Sequence, residues 1–186
     1  LTSGYLLTWL LYSQWSTTVS THALELGVTL RQYSLIWTIN GLLIVVGQPI
    51  IRPIIKLLED RLKMQMLIGL IIFISSFIVV AYAGSFKMFV VAMVIVTFGE
   101  MFLWPAIPTI ANQLSPKGRE GFYQGIVNST ATIGRMIGPI AGGLLVDMYG
   151  MKVMILLLTV LMIIPLITTF IFDRPVKKAG YQMRDV

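Results

Sequence analysis

An all-α membrane protein is the fold class this sequence predicts, with six transmembrane helices arranged as a 3+3 inverted repeat. Composition points there first: 186 residues, 56% hydrophobic and 12% charged, carry too few charged side chains to cover a water-soluble globule. Six continuous apolar runs then supply the roughly 20 residues that each bilayer crossing requires, longer than the alternating segments of about ten residues of a barrel strand. Polar side chains are also spread over those runs as two polar helices followed by a bland one, twice over, which is what an inverted repeat produces.

The first run, about Thr2 to Leu24, carries Gln14, Trp15, Ser16, Thr17, Thr18, Ser20 and Thr21. The second, Leu30 to Ile54, carries Trp37, Asn40 and Gln48, whereas the third, Met64 to Ala83, offers mainly Ser75 and Ser76. The fourth, Lys87 to Ala111, holds Thr97, Glu100 and Trp104, and the fifth, Gly118 to Val146, holds Asn128, Thr132 and Arg135. The sixth, Met151 to Phe172, has only threonines around Pro165. The third and sixth helices are therefore expected to face lipid and the other four to face inward. On this reading residues 1–172 form the bundle and 173–186 a cytoplasmic tail.

A net charge of +6 invites a nucleic-acid reading, but its distribution follows the positive-inside rule. Arg52, Lys56, Arg61 and Lys63 follow the second run, Lys117 and Arg119 the fourth, and Arg174, Lys177, Lys178 and Arg184 lie in the tail. The opposite side holds only Arg31, Lys87 and Lys152. A multi-pass protein of the cell (inner) membrane with both termini cytoplasmic is predicted, with no nucleic-acid partner. The absence of cysteine excludes disulfides, thiolate catalysis and cysteine-ligated metals.

In the fifth helix, a 3.6-residue period places Asn128, Thr132, Arg135, Pro139 and Gly142 on one stripe. Gly134, Gly138 and Gly142 form the adjoining stripe, a small-xxx-small surface that lets another backbone approach closely. Glu100 and Arg135 both fall near the bilayer midplane, where a charge costs roughly 2.5 to 3.5 kcal/mol on insertion scales. They are candidates for a static ion pair that fixes helix packing. The functional reading is that Glu100 changes protonation as a motion alters its burial or its distance from Arg135. Thr97 and Trp104, three residues before and four after Glu100, share its face. Trp15, Trp37 and Tyr33 are expected as further aromatic walls suited to apolar or cationic ligands, and Gln14, Asn40 and Asn128 as hydrogen-bonding groups of the same cavity. His22 and Asp147, at helix ends, read as ordinary boundary residues.

These residues resemble the major facilitator superfamily, and within it the drug/proton antiporters. Gly125, Gly134, Gly138, Pro139, Gly142 and Gly143 match the antiporter signature of Gly, eight residues, Gly, three residues, Gly-Pro, two residues, Gly-Gly. That signature belongs to the fifth helix of the family's first half. The loop after helix two nevertheless reads KLLEDRLKMQ, in which Asp60 and Arg61 of the family's loop motif remain while Lys56 and Lys63 stand at its glycine positions, as in a second half. The stretch GEMFLWPAIPTIANQLSP, Gly99 to Pro116, is similar to the tenth helix of bacterial multidrug exporters, whose glutamate is implicated in proton coupling; Gln14 and Asn40 fit the seventh and eighth helices. The resemblance implies one half, the carboxy-terminal one, of a twelve-helix major facilitator fold. Leu1 in place of an initiator methionine suggests an incomplete chain, whose partner is a missing amino-terminal six-helix half or, alternatively, a second copy.

The function this implies is multidrug efflux: a proton-coupled antiporter that exports amphipathic or cationic small molecules by alternating access, with protonation of Glu100 favouring release. Arg135 either tunes Glu100 or favours an anionic substrate. A proton symporter or a lipid or metabolite transporter of the same superfamily is the rival. An intramembrane hydrolase is disfavoured by a single histidine at the membrane edge and the lack of a Gly-x-Ser-x-Gly turn. No cofactor or metal is expected.

Overall fold

The computed structural model describes residues 2–58 and 61–171, and every regular element among them is helical. The first run is not one helix. It divides into α1 (Thr2–Tyr12), a 3-10 turn (Ser13–Ser16) and α2 (Thr18–Glu25). Its hydroxyl-rich sequence explains the break. Ser13 Oγ donates to the Leu10 carbonyl at 2.8 Å, and Ser16 Oγ and Thr17 Oγ1 both donate to the Ser13 carbonyl at 3.0 and 3.1 Å. Such bonds compete with the helical ladder, and Thr17 leaves helical geometry at φ −126°, ψ −97°.

A capping box starts α3 (Leu30–Leu57): Thr29 Oγ1 accepts from the Gln32 amide, and the Gln32 side chain accepts from the Thr29 amide. The helix continues through Pro49 and Pro53. α4 (Leu62–Ala81) and α5 (Phe86–Leu114) form the most extensive helix pair of the fold, and α5 runs through Pro105 and Pro108. α6 (Glu120–Tyr149) contains Pro139 and ends at Gly150, whose φ of +79° is costly for any side chain with a Cβ. The last run divides into α7 (Met151–Leu161) and α8 (Ile163–Ile171). Pro165 has no N–H for the Leu161 carbonyl, and the chain tightens there, with the Met162 amide bonded to the Thr159 carbonyl.

Among the described residues, four segments are long and apolar enough to cross a membrane: Leu30–Leu57, Leu62–Ala81, Phe86–Leu114 and Met151–Ile171. The first run is interrupted, and α6 is diluted by its glycines, Asn128 and Arg135.

The core lies where α4 and α5 cross. Gly69 and Gly99 let the two backbones meet: a Cβ on Gly99 would stand 3.1 Å from the Gly69 carbonyl and 3.1 Å from the Phe73 amide. Phe73, Phe77, Phe89 and Met93 fill the surrounding space without solvent exposure, and Trp15 closes the cluster from the broken first run. The lipid face expected of the third helix falls on its other side, where Met64, Ile71 and Ile78 are exposed. α4 buries one whole side, from Leu62 to Val80, whereas α3, expected inside, presents Leu42, Val45, Val46 and Ile50 on the outside of the described bundle. An apolar surface packs equally well against lipid or another apolar helix, so blandness alone does not distinguish them.

α6 lies alongside α1 with its glycine stripe turned inward. A Cβ on Gly134 would come within 2.7 Å of the Leu6 carbonyl and the Trp9 Cβ, one on Gly138 within 2.8 Å of the Leu10 carbonyl, and one on Gly142 would overlap the Gln14 side chain. Contacts advance in the same direction along both helices, so α1 and α6 run parallel. The other two glycines of the motif differ: nothing stands within 4 Å of a Cβ added at Gly125 or Gly143.

Candidate functional site

The site is built around Glu100, the fifteenth of the 29 residues of α5 and therefore mid-membrane if α5 spans. It is only 4% exposed. Across the α3–α5 contact, Asn40 Nδ2 donates to Glu100 Oε1 at 3.3 Å and to Thr97 Oγ1 at 2.9 Å, and Thr97 passes its own proton to the Met93 carbonyl at 2.6 Å. The Tyr12 hydroxyl and the Trp104 indole approach the same carboxyl. A burial this complete normally demands a cation, yet every one of these partners is neutral.

Glu100 also opens on a cavity of about 380 Å³ between α3 and α5, lined by Ile44, Gln48, Arg52, Ile55, Met101, Trp104 and Pro105. Asn40, Gln48 and Arg52 are eight and four residues apart, so one face of α3 leads from the carboxyl towards the basic end of the helix. Pro105 and Pro108 withdraw the helical donors from the Met101 and Trp104 carbonyls, adding acceptor capacity to this wall.

Arg135 does not reach Glu100, and the two form no ion pair. Its guanidinium lies over the Trp9 ring at 4.6 Å from the centroid. Trp9 in turn stacks on Trp104, with ring centroids 4.5 Å apart and planes inclined by 11°. Two indoles therefore separate the groups expected to pair. Tyr5 and Tyr12 set their edges against both indoles, with centroids 5.5 to 6.2 Å away. The Gly134 contact dictates this arrangement: it draws α1 onto α6 at Trp9, which leaves the indole between α6 and α5.

Other expected cavity residues are placed differently. Gln14 is completely buried in the α1–α6 seam, where Nε2 donates to the Gly138 carbonyl at 2.8 Å and to the Leu10 carbonyl at 2.9 Å, and Oε1 accepts from Thr18. Trp15 is likewise fully buried, edge-on to Phe77, and its carbonyl accepts from the Tyr33 hydroxyl. Both are packing groups, because the turn that carries them is pressed into the core. Trp37 is half-buried, edge-on to Tyr12 at 6.4 Å, at the margin of the aromatic cluster. Asn128 and Thr132 are exposed on α6 beside Arg135, with Thr132 Oγ1 bonded to the Asn128 carbonyl, and do not line the Glu100 cavity. Pro139 is half-buried on the same helix. Of the loop motif, Arg61 lies at the start of α4 and Asp60 outside the described residues.

Tyr5, Trp9 and Tyr12 were missed by sequence reasoning, although their offsets of four and three form one helical stripe. Arg52, a loop-side charge in the sequence pattern, also lines the Glu100 cavity. A second cavity, about 330 Å³, opens between α2 and α6 beside His22, Glu25 and Asp147, with His22 Nδ1 3.7 Å from Glu25 Oε2.

Comparisons with known proteins bear on what this arrangement serves. Major Facilitator Superfamily sequences match residues 1–183. The chain is 55% identical over 179 residues to YttB, an uncharacterized MFS-type transporter of Bacillus subtilis, covering 96% of this chain and 45% of that protein. An uncharacterized MFS-type transporter of Methanocaldococcus jannaschii is 47% identical over 51 residues, 27% of this chain and 13% of its own length. A second Bacillus subtilis protein of the same description, YqjV, is 24% identical over 143 residues, 75% of this chain and 34% of its own. The chain thus spans less than half the length of each relative it matches. With helices of membrane-crossing length and a family match over almost every residue, this is a multi-pass membrane chain that belongs to the major facilitator superfamily.

Proposed function

We propose that this chain is the carboxy-terminal six-helix half of a proton-coupled secondary transporter that exports amphipathic small molecules by alternating access, a drug/proton antiporter of the inner membrane with both termini in the cytoplasm. The observation that carries the reading is Glu100: a mid-helix carboxyl, almost wholly buried, held by neutral partners only and opening on a cavity. A carboxyl without a fixed counter-ion is neutral at little cost and charged only with help, which is what a proton carrier requires.

The pairings of α1 with α6 and of α3 with α5 support the 3+3 repeat. An inverted repeat exchanges the first helix with the fourth and the second with the fifth, so these contacts are counterparts, and both run parallel. The length of the relatives supports a further half, which alternating access needs as something to rock against. Substrate export is the reading of the antiporter-type glycine motif. A symporter or metabolite transporter is the second reading, favoured by Arg135, whose positive charge stands on the open face of α6.

The test is transport in inside-out vesicles with an acid interior, using amphipathic dyes of both charge signs and the complete gene product. Accumulation driven by the gradient is expected in the wild type and lost in Glu100→Gln, with dye exchange retained. Equal gradient-driven accumulation by the variant removes Glu100 from coupling.

A further inference from the structure

We propose that Arg135 anchors a binding site for organic carboxylates on the open face of α6. The inference rests on the proposed transport function. Arg135 is the sixteenth of the 30 residues of α6, as far from either helix end as the sequence allows, and it is exposed. One face of its guanidinium lies against Trp9, which fixes the plane of the group. Its N–H edge forms no hydrogen bond or ion pair with another described residue. A planar fork of donors, held flat and left without an acceptor at the middle of a 30-residue helix, is the receptor geometry for a carboxylate.

The surroundings select an anion rather than a cation. Trp9 has no vacant face for a cationic ring, since Arg135 covers one side and Trp104 the other. Glu100 is bonded to Asn40, Tyr12 and Trp104, opens on the α3–α5 cavity and lies beyond the indole pair, so it neither neutralises Arg135 nor competes for its donors. Half-buried Pro139, one turn further on along the same stripe, gives an apolar contact for the body of such a ligand. Asn128 and Thr132 continue the same stripe with polar groups.

The experiment is equilibrium binding of radiolabelled benzoate to the complete gene product in phosphatidylcholine nanodiscs, with benzamide and benzamidine as neutral and cationic competitors of the same shape. Saturable benzoate binding is expected, with displacement by neither competitor at equal concentration. Arg135→Lys keeps the charge but loses the fork, and should weaken binding about tenfold or more, the equivalent of one charge-assisted hydrogen bond. Arg135→Gln should abolish it, with thermal unfolding of each variant confirming a folded protein. Displacement by benzamidine, undiminished binding by folded Arg135→Gln, or no saturable benzoate binding to the wild type overturns the proposal. Benzoate binding is read at equilibrium with no pH gradient, so failure of proton coupling and failure of this site are read separately.

Discussion

The α1–α6 and α3–α5 seams are both parallel helix pairs, and they are held in opposite ways. Along α1–α6, three glycines bring backbone to backbone: Gly134 receives the Leu6 carbonyl and the Trp9 Cβ, Gly138 the Leu10 carbonyl, and Gly142 the Gln14 side chain, which itself donates to the Gly138 carbonyl. Along α3–α5, Gly47 meets only the mobile thioether end of Met101, and the specific contacts are the hydrogen bonds that Asn40 makes to Thr97 and Glu100. A seam of interlocked backbones has one arrangement. A seam of side-chain hydrogen bonds beside a cavity is free to exchange partners, so the α3–α5 side is where a protonation change should be felt.

The contrast is broken most severely at Gly138. Gly138→Ala puts a methyl against the Ser13 hydroxyl, which must rotate away, and against the Leu10 carbonyl, which cannot retreat without moving α1, and overpacking of this kind costs about 1–3 kcal/mol. Thermal unfolding of the purified protein should show a clear loss, and an unchanged midpoint would mean that the helices stand further apart. Asn40→Ala comes next. It removes two hydrogen bonds, worth about 0.5–1.5 kcal/mol each, and strips Glu100 of a neutral donor, so the pH dependence of transport should move even where the midpoint falls only modestly. Gly47→Ala should cost under about 1 kcal/mol, because a flexible methionine end is all that must shift; a loss as large as that of Gly138→Ala would erase the distinction between the seams.

The smallest effect is expected outside the membrane. Glu120 starts α6, and its carboxylate accepts from its own backbone N–H and from the Gly118 N–H at 3.1 Å, which hold its titration below the ordinary carboxylate range. The stabilisation is present above that ordinary range and fades as pH falls through the lowered value. Glu120→Gln should therefore differ from wild type slightly at neutral pH and not at all in strong acid, as read from unfolding midpoints across pH.

Periodicity made the glycine stripe legible, since offsets of four on one helix require no knowledge of the neighbour, and it placed Thr97 and Trp104 beside Glu100. It did not reveal which neighbour would fill the stripe. Once α1 takes that position, Trp9 stands between Arg135 and Glu100, and a pairing suggested by equal depth becomes a stack of two indoles. Gln14 and Trp15 were misplaced for a related reason: polarity and aromaticity at mid-helix suggest a cavity, but the hydroxyl-driven break after Tyr12 turns both into the core. The burial of α4 was hidden because lipid and protein interior favour the same side chains.

Infrared difference spectroscopy of the carboxyl stretch tests the central claim most directly, comparing the complete wild-type protein with Glu100→Gln as pH is cycled. The account predicts a protonated-carboxyl band that appears and disappears with pH and is missing from the variant. A band that is identical in both proteins, or that stays fixed through the cycle, would contradict the assignment of Glu100 as the proton carrier.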